Sequence, residues 1–256
     1  MLGLAVMGAG LASAELVVGL FERTSSPVVP VGQVFIDWVP RPLKEWAIDT
    51  FGTNDKVVLV LGALIVLLGI GIGHPEHTEE YRKPYDVLVE YLDALDAQKV
   101  PTSRRVVAAL GPKVLELAAA RSAGAHPYLT TPEHTGQARN LIGNTVFLAP
   151  EHKVVLGTDA EEAREVGRGA VDFYLNLSNY LNNWRRLGFT EDDIAKPGSD
   201  RLIDAVVAHG DATAIAARLH QHLEAGADHV AIQVLGGWDK LIPTLAELAG
   251  PLGLQR

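Results

Sequence analysis

The chain of 256 residues contains no cysteine. That absence excludes disulfides, thiolate metal sites and a cysteine nucleophile. Basic residues are also in deficit, with 22 Lys and Arg against 31 Asp and Glu and a formal net charge of -9. Phosphate-backbone binding needs a basic face, so nucleic acid is not an expected partner. A small anionic ligand needs only a local cluster of donors and stays open. Apolar residues make up 48% and charged residues 21%, a balance suited to a folded core.

The apolar residues are unevenly placed. Leu2 to Phe21 carries one charged residue, Glu15, and Val57 to Gly73 carries none. Each run approaches the length needed to cross a bilayer. Neither resembles a secretory signal, because the first lacks a basic start and Glu15 interrupts it. Two readings follow: membrane association through residues 2–21 and 57–73, or a pair of buried core segments. Arg23, Arg41, Lys44 and Lys56 lie before the second run, and Arg82, Lys83, Arg104 and Arg105 after it. Basic residues on both sides define no orientation. The alternate glycines Gly69, Gly71 and Gly73 each weaken a helix by roughly 1 kcal/mol, so Leu67 to Gly73 reads better as a strand. As a nucleotide loop the same glycines are poor, lacking the helix-packing glycine and any P-loop lysine.

Between the runs, residues 22–56 are punctuated by Pro27, Pro30, Pro40 and Pro42. Ser25-Ser26-Pro27-Val28-Val29-Pro30-Val31-Gly32 followed by Pro42-Leu43-Lys44-Glu45 resembles the N-terminal membrane portion of certain bacterial molybdopterin-dependent oxidoreductases. That resemblance covers residues 1–66 and carries no molybdenum chemistry.

From residue 67 onward the pattern changes to alternating strands and helices. Tyr85, Leu88, Val89, Leu92 and Leu95 fall at helical spacing behind Pro84. Arg105 to Leu110 reads as a strand ended by Gly111-Pro112, with Val114, Leu117 and Ala118 facing inward from the next helix. Gly124 to Leu129 is a short strand and Pro132 to Leu141 a helix. Val146 to Ala149 and Val154 to Leu156 are strand, interrupted at Pro150. Asp159 caps an acidic-rich helix. Ser178 to Gly188 is a helical insertion. Helices over Arg201–Ala208 and Ala212–Ala225 precede a strand over His229–Leu235 and a final helix from Asp239 to Leu252. Short apolar strands alternating with helices predict an α/β fold with a parallel sheet. Periodicity alone does not separate a doubly wound sheet from a barrel.

Longer phrases point further: Leu68-Gly69-Ile70-Gly71-Ile72-Gly73-His74, Tyr91-Leu92-Asp93-Ala94-Leu95-Asp96, Ala108-Ala109-Leu110-Gly111-Pro112-Lys113, Ala125-His126-Pro127-Tyr128-Leu129, Asn179-Tyr180-Leu181-Asn182-Asn183-Trp184-Arg185-Arg186-Leu187-Gly188-Phe189 and Gly226-Ala227-Asp228-His229-Val230. In this order, residues 67–256 resemble the coenzyme F420-dependent, luciferase-like monooxygenase class of oxidoreductases. The resemblance implies a partial (β/α)8 TIM barrel, about strands 4 to 8, behind an apolar and mostly helical N-terminal segment. It implies hydride transfer between a deazaflavin, coenzyme F420, and an organic small-molecule substrate. FMN is the alternative cofactor, since related barrels use either.

The resemblance also assigns residues. Ala109, Leu110, Gly111, Pro112 and Lys113 would cradle the cofactor's phosphate, with main-chain amides and a helix N-terminus as donors. Ala125, His126 and Pro127 would hold its tail from the next strand end. Gly73, His74 and His77 follow the strand that faces the deazaflavin ring, and His74 would handle the proton. Asn179, Tyr180, Asn183 and Arg185 lie in the insertion and would contact substrate. The ordinary readings are a tight turn with a surface lysine, a hydrogen-bonded structural histidine, a solvent-facing loop and helix packing. Pro-Glu-His recurs at residues 75–77, 132–134 and 150–152, but no metal site is expected from it.

The first strands of such a barrel are missing, which would expose edges. The N-terminal segment or a second copy of the chain would have to complete it, so a homo-oligomer is an expected state. The expected location is the cytoplasmic face of a membrane, with a soluble cytoplasmic protein as the alternative. Against the enzyme stand two other functions: a membrane-associated binding or assembly protein, and an inactive fusion product.

Overall fold

The computed structural model describes residues 68–71 and 83–254. The chain divides into two units at Ile70–Gly71. In the first unit the described part is strand β1, Leu68–Ile70, in line with the strand expected from the alternating glycines. The apolar run therefore does not continue as a helix through Ile70. The rest of residues 1–66, with its molybdopterin-type resemblance, lies outside the described residues, as do Gly73, His74 and His77. No described helix is long and apolar enough to cross a membrane.

The second unit is α/β. Its elements are α1 (Pro84–Ala97), β2 (Arg105–Val107), α2 (Pro112–Arg121), β3 (Gly124–Ala125), α3 (Pro132–Ile142), β4 (Phe147–Leu148), β5 (Glu151–Leu156), α4 (Ala160–Val171), α5 (Ser178–Arg186), α6 (Glu191–Ile194), α7 (Asp200–Val206), β6 (Val207–Gly210), α8 (Ala212–Glu224), β7 (Ala231–Val234) and α9 (Trp238–Ala249). Local chemistry sets most boundaries. Proline opens α1, α2 and α3, where its missing N–H costs nothing. The Asp159 carboxylate accepts from the amides of Glu161 and Glu162 at the start of α4, and Thr190 and Asp193 form a reciprocal capping box on α6.

All described ladders between β2 and β7 are parallel. Strands β2, β3 and β4 run side by side, with Val107 opposite Ala125 and Ala125 opposite Leu148. Gly124 is required here: a Cβ would lie 1.9 Å from the Phe147 carbonyl oxygen. In the second sheet β5 is central, with β6 and β7 on its two edges. Only Ala149 and Pro150 separate β4 from β5, and main-chain bonds bridge the gap: Glu151 N–H to Pro127 O, and Ala231 N–H to Pro150 O, 2.8 and 2.9 Å. The described strands thus form parallel sheets flanked by helices, with a non-sequential order around β5.

Three expectations need correction. The strand expected over Arg105–Leu110 stops at Val107, because Ala108 to Gly111 already turns towards α2. Leu115, not Val114, is buried on α2 beside Leu117 and Ala118. The helix expected to Ala208 ends at Val206, and Val207–Gly210 is strand β6. No glycine or proline marks that junction, so the sequence carries no breaker there.

Two apolar clusters bracket β5. One joins Leu129, Val171, Leu175, Leu177, Tyr180, Trp184, Leu202 and Val207 under the α4–α7 region. The other joins Val154, Ala208, Ile215, Leu219 and Leu248 under α8 and α9.

Candidate functional site

Parallel pairing carries the chain out of β2 and β3 at the same edge. His126 N–H donates to Val107 O at 2.8 Å, and Ala149 N–H to Ala125 O at 3.0 Å. The segments Ala108–Gly111 and His126–Pro127 therefore emerge together at the C-terminal edge, where parallel α/β sheets place their ligands. Ala109 and Ala125 are buried. The His126 Nδ1 binds the Ala149 carbonyl at 2.5 Å, so this histidine ties two strand ends together.

Gly111 is the N-cap of α2 and has an extended backbone, with no side chain to satisfy the first turn. Its carbonyl accepts from Val114 and Leu115. The leading amides of a helix have no intrahelical acceptor. His134, on α3, reaches this turn: its Nε2 donates to Leu110 O at 2.8 Å. Burial pushes His134 below the ordinary histidine range, the Leu110 carbonyl opposes that shift, and the Arg186 charge adds to it. Burial and the Arg186 charge thus favour the neutral imidazole.

The insertion helix α5 closes over this edge. A Cβ on Gly111 would sit 3.6 Å from Arg186 Nη2. Asn183 Oδ1 accepts from the same Nη2 at 3.1 Å. Trp184, fully buried, donates its indole N–H to Leu129 O at 3.3 Å and anchors the helix.

The residues expected from the insertion divide. Asn183 and Tyr180 are buried. Asn179 is exposed. Arg185 pairs with Glu191 at 2.6 Å on the surface and also binds Asn182, whereas its neighbour Arg186 is the arginine at Gly111. A helix turns about 100° per residue, so adjacent arginines face different ways. Lys113 does not join Arg186: it lines a groove with Lys83, Tyr85, Asp86 and Glu116 between α1 and α2.

A second polar group lies on one face of β5. Lys153 and Glu151 are 1% and 5% exposed. Lys153 Nζ donates to Tyr128 OH at 2.6 Å, Gln233 Oε1 at 2.5 Å and Glu151 Oε1 at 3.1 Å. Tyr174 adds its hydroxyl to that of Tyr128 at 3.3 Å. Burial lowers the Lys153 pKa and Glu151 opposes the shift. Burial raises that of Tyr128, and Glu151 adds to it. All three ammonium donors are used, so this cluster is complete without a ligand. On the opposite face, His152 Nδ1 meets His222 Nε2 at 3.0 Å, and His222 Nδ1 meets the Thr135 hydroxyl at 2.8 Å.

A cavity of about 540 Å³ opens among Thr131, Glu133, Leu187, Phe189, Arg201 and Arg218. Its cations are committed: Arg201 pairs with Asp193 and stacks on Phe189, and Arg218 binds Gln221 and Asp204 O.

The sequence reading missed Arg186 and Lys153 as site residues, and touched His134 and Glu151 only within the recurring Pro-Glu-His triplet. The charged pair Glu151 and Lys153, two apart on β5, was the local sign of a polar centre. Nothing in the local pattern separates Arg186 from Arg185 before the helix phase is known.

No family model and no curated protein matches the chain. Solved structures resemble it at low identity. Apo-MsnO8 aligns at 16% identity and a TM-score of 0.50, over 73% of this chain and 68% of that one. An F420-dependent secondary alcohol dehydrogenase in complex with an F420-acetone adduct aligns at 12% identity and a TM-score of 0.48, over 65% of this chain. The chain spans 63% of that dehydrogenase. A type II Baeyer-Villiger monooxygenase, the oxygenating constituent of 3,6-diketocamphane monooxygenase from Pseudomonas putida in complex with FMN, aligns at 14% identity and a TM-score of 0.49, over 82% of this chain and 73% of that one. At these identities the likeness to MsnO8 concerns the fold.

Proposed function

We propose that this chain is a luciferase-like oxidoreductase that transfers a hydride between coenzyme F420 and an organic small molecule, with FMN as the alternative cofactor. The observation that carries the reading is the shared strand edge. Leu110–Lys113 and Ala125–Pro127, the segments that the sequence resemblance assigns to the cofactor, leave neighbouring parallel strands side by side. Had they emerged at opposite ends, no single ligand would touch both.

The residues at that edge suit an anionic tail. Gly111 leaves its turn open, α2 directs its leading amides outward, and Arg186 adds a positive charge at the same turn. The bound deazaflavin or flavin would supply the redox chemistry. The protein would supply position: Ala109 and Ala125 lie buried at that edge, and His126 ties its strand end to Ala149. His74 is the proposed proton-handling residue and Gly73 and His77 its neighbours, all outside the described residues. Tyr180 and Asn183 belong to the helix that covers the edge, where substrate contact is proposed.

Titration of F420 into the purified full-length chain in mild detergent, followed by fluorescence, tests the reading. Gly111→Asp places a carboxylate against Arg186 and the phosphate position. Wild-type binding with at least about tenfold loss in the variant is expected. Equal binding by both proteins would sink the assignment.

A further inference from the structure

We propose that the cavity framed by α3, α7, α8 and the α5–α6 turn binds a small zwitterion with an apolar side chain, of the α-amino acid class. Its lining residues include none of those assigned to F420, so it stands or falls apart from the proposed function.

The cavity, about 540 Å³, falls within the roughly 300–1,000 Å³ that small-molecule sites occupy. Four charged side chains line it, and two are compensated by partners outside its lining. Arg201 pairs with Asp193, and Asp204 with Arg164 and His209. The other two are not compensated. Arg218 contacts only neutral oxygens, Gln221 Oε1 at 3.2 Å and the Asp204 carbonyl at 3.4 Å, which leave its charge unmatched. Glu133 is held by the Thr131 hydroxyl, and among the described residues no cation forms an ion pair with it. The Thr131 hydrogen bond first, and the Arg218 charge with it, hold Glu133 below the ordinary carboxylate range, with burial opposing. The carboxylate is therefore ionised at neutral pH, and it senses Arg218 across the opening without touching it.

An unmatched carboxylate and an unmatched guanidinium on one opening select by charge. A simple anion would meet Glu133 as a like charge, and a simple cation would meet Arg218. A zwitterion meets both as opposites, with its carboxylate on the planar Arg218 fork and its ammonium on Glu133. The remaining wall is apolar: Leu187, Phe189 and Ala205, continuous with the core cluster under the α4–α7 region. That wall receives an aliphatic or aromatic side chain, whose burial adds affinity. Both charged groups are within reach of a ligand, because Glu133 is exposed and Arg218 half-buried.

The test titrates the full-length chain with glycine, alanine, leucine and phenylalanine, followed by ligand-observed NMR. Leucine or phenylalanine should bind at or below millimolar concentration, and glycine about tenfold or more weakly, having no side chain for the apolar wall. Isocaproate lacks the ammonium of leucine and isoamylamine its carboxylate, so each should bind about tenfold or more weakly than leucine. Glu133→Gln should weaken leucine by a similar factor without weakening isocaproate. Arg218→Gln should weaken leucine without weakening isoamylamine. Lys113→Ala, in the groove between α1 and α2, should change nothing. No binding of any of the four amino acids by wild type, equal affinity for leucine and its two singly charged analogues, or wild-type leucine affinity in either glutamine variant would each overturn the site. The comparison of leucine with its analogues uses wild type alone, so it decides even where a variant fails to fold.

Discussion

Strand β5 shows its two faces to unlike surroundings. On one, Glu151 and Lys153 are buried with Tyr128 and Gln233 in a closed polar set. On the other, Val154 packs with Ile215, Leu219 and Leu248, and His152 meets His222. The first face is held by directed bonds and matched charges, the second by close packing around two neutral rings. Alternation of side chains lets six residues carry both arrangements. The contrast teaches that burial alone does not say how a face is stabilised.

The largest test breaks the charge match. Lys153→Met should cost about 3–5 kcal/mol in denaturant unfolding, because Glu151 is left buried without its counter-charge. Replacing both, Lys153→Met with Glu151→Leu, should cost much less, since neither desolvation penalty then remains. An equal loss in the single and double variants would show that packing, not charge, governs this face.

The histidine face should respond to acid instead. Burial first, and the nearby Arg218 charge second, push His222 down to about 4, with Glu133 opposing. His152 is pushed well below its ordinary range by burial, and His222, Arg218 and Lys153 add to that shift. The unfolded chain then binds more protons than the folded one below about pH 6.5. Stability is fully present above that pH and falls as pH drops towards 4, by roughly 3 kcal/mol from His222. His222→Gln should flatten this slope in thermal melts. A variant retaining the full slope would assign it elsewhere. The smallest effect is expected from Val154→Ala, about 2 kcal/mol for the lost methyl groups and the cavity, with no change in pH dependence.

Much of the fold was legible from the residues. Proline at helix starts, Asp159 as a cap and the break at Pro150 all express local chemistry, and local chemistry is written in the sequence. Strand β6 was not legible because Ala205-Val206-Val207-Ala208 suits a helix or a strand equally, and pairing with β5 decides. At the candidate site, the convergence of Gly111 and His126 followed from the family phrases. The choice of Arg186 over Arg185 required the phase of α5, which Trp184 sets by its anchoring in the core. Glu151 and Lys153 did not read as one cluster because Gln233, 80 residues from Lys153, completes their network.

Helix α7 passes into strand β6 with no intervening loop. Adding one residue there would rotate the helix by about 100° and exchange the two sides of the strand. Both errors would arise at once, and no slack segment exists between Asp200 and Gly210 to absorb either. Length variation among homologous chains should therefore spare this stretch, making it a fixed ruler for aligning distant sequences.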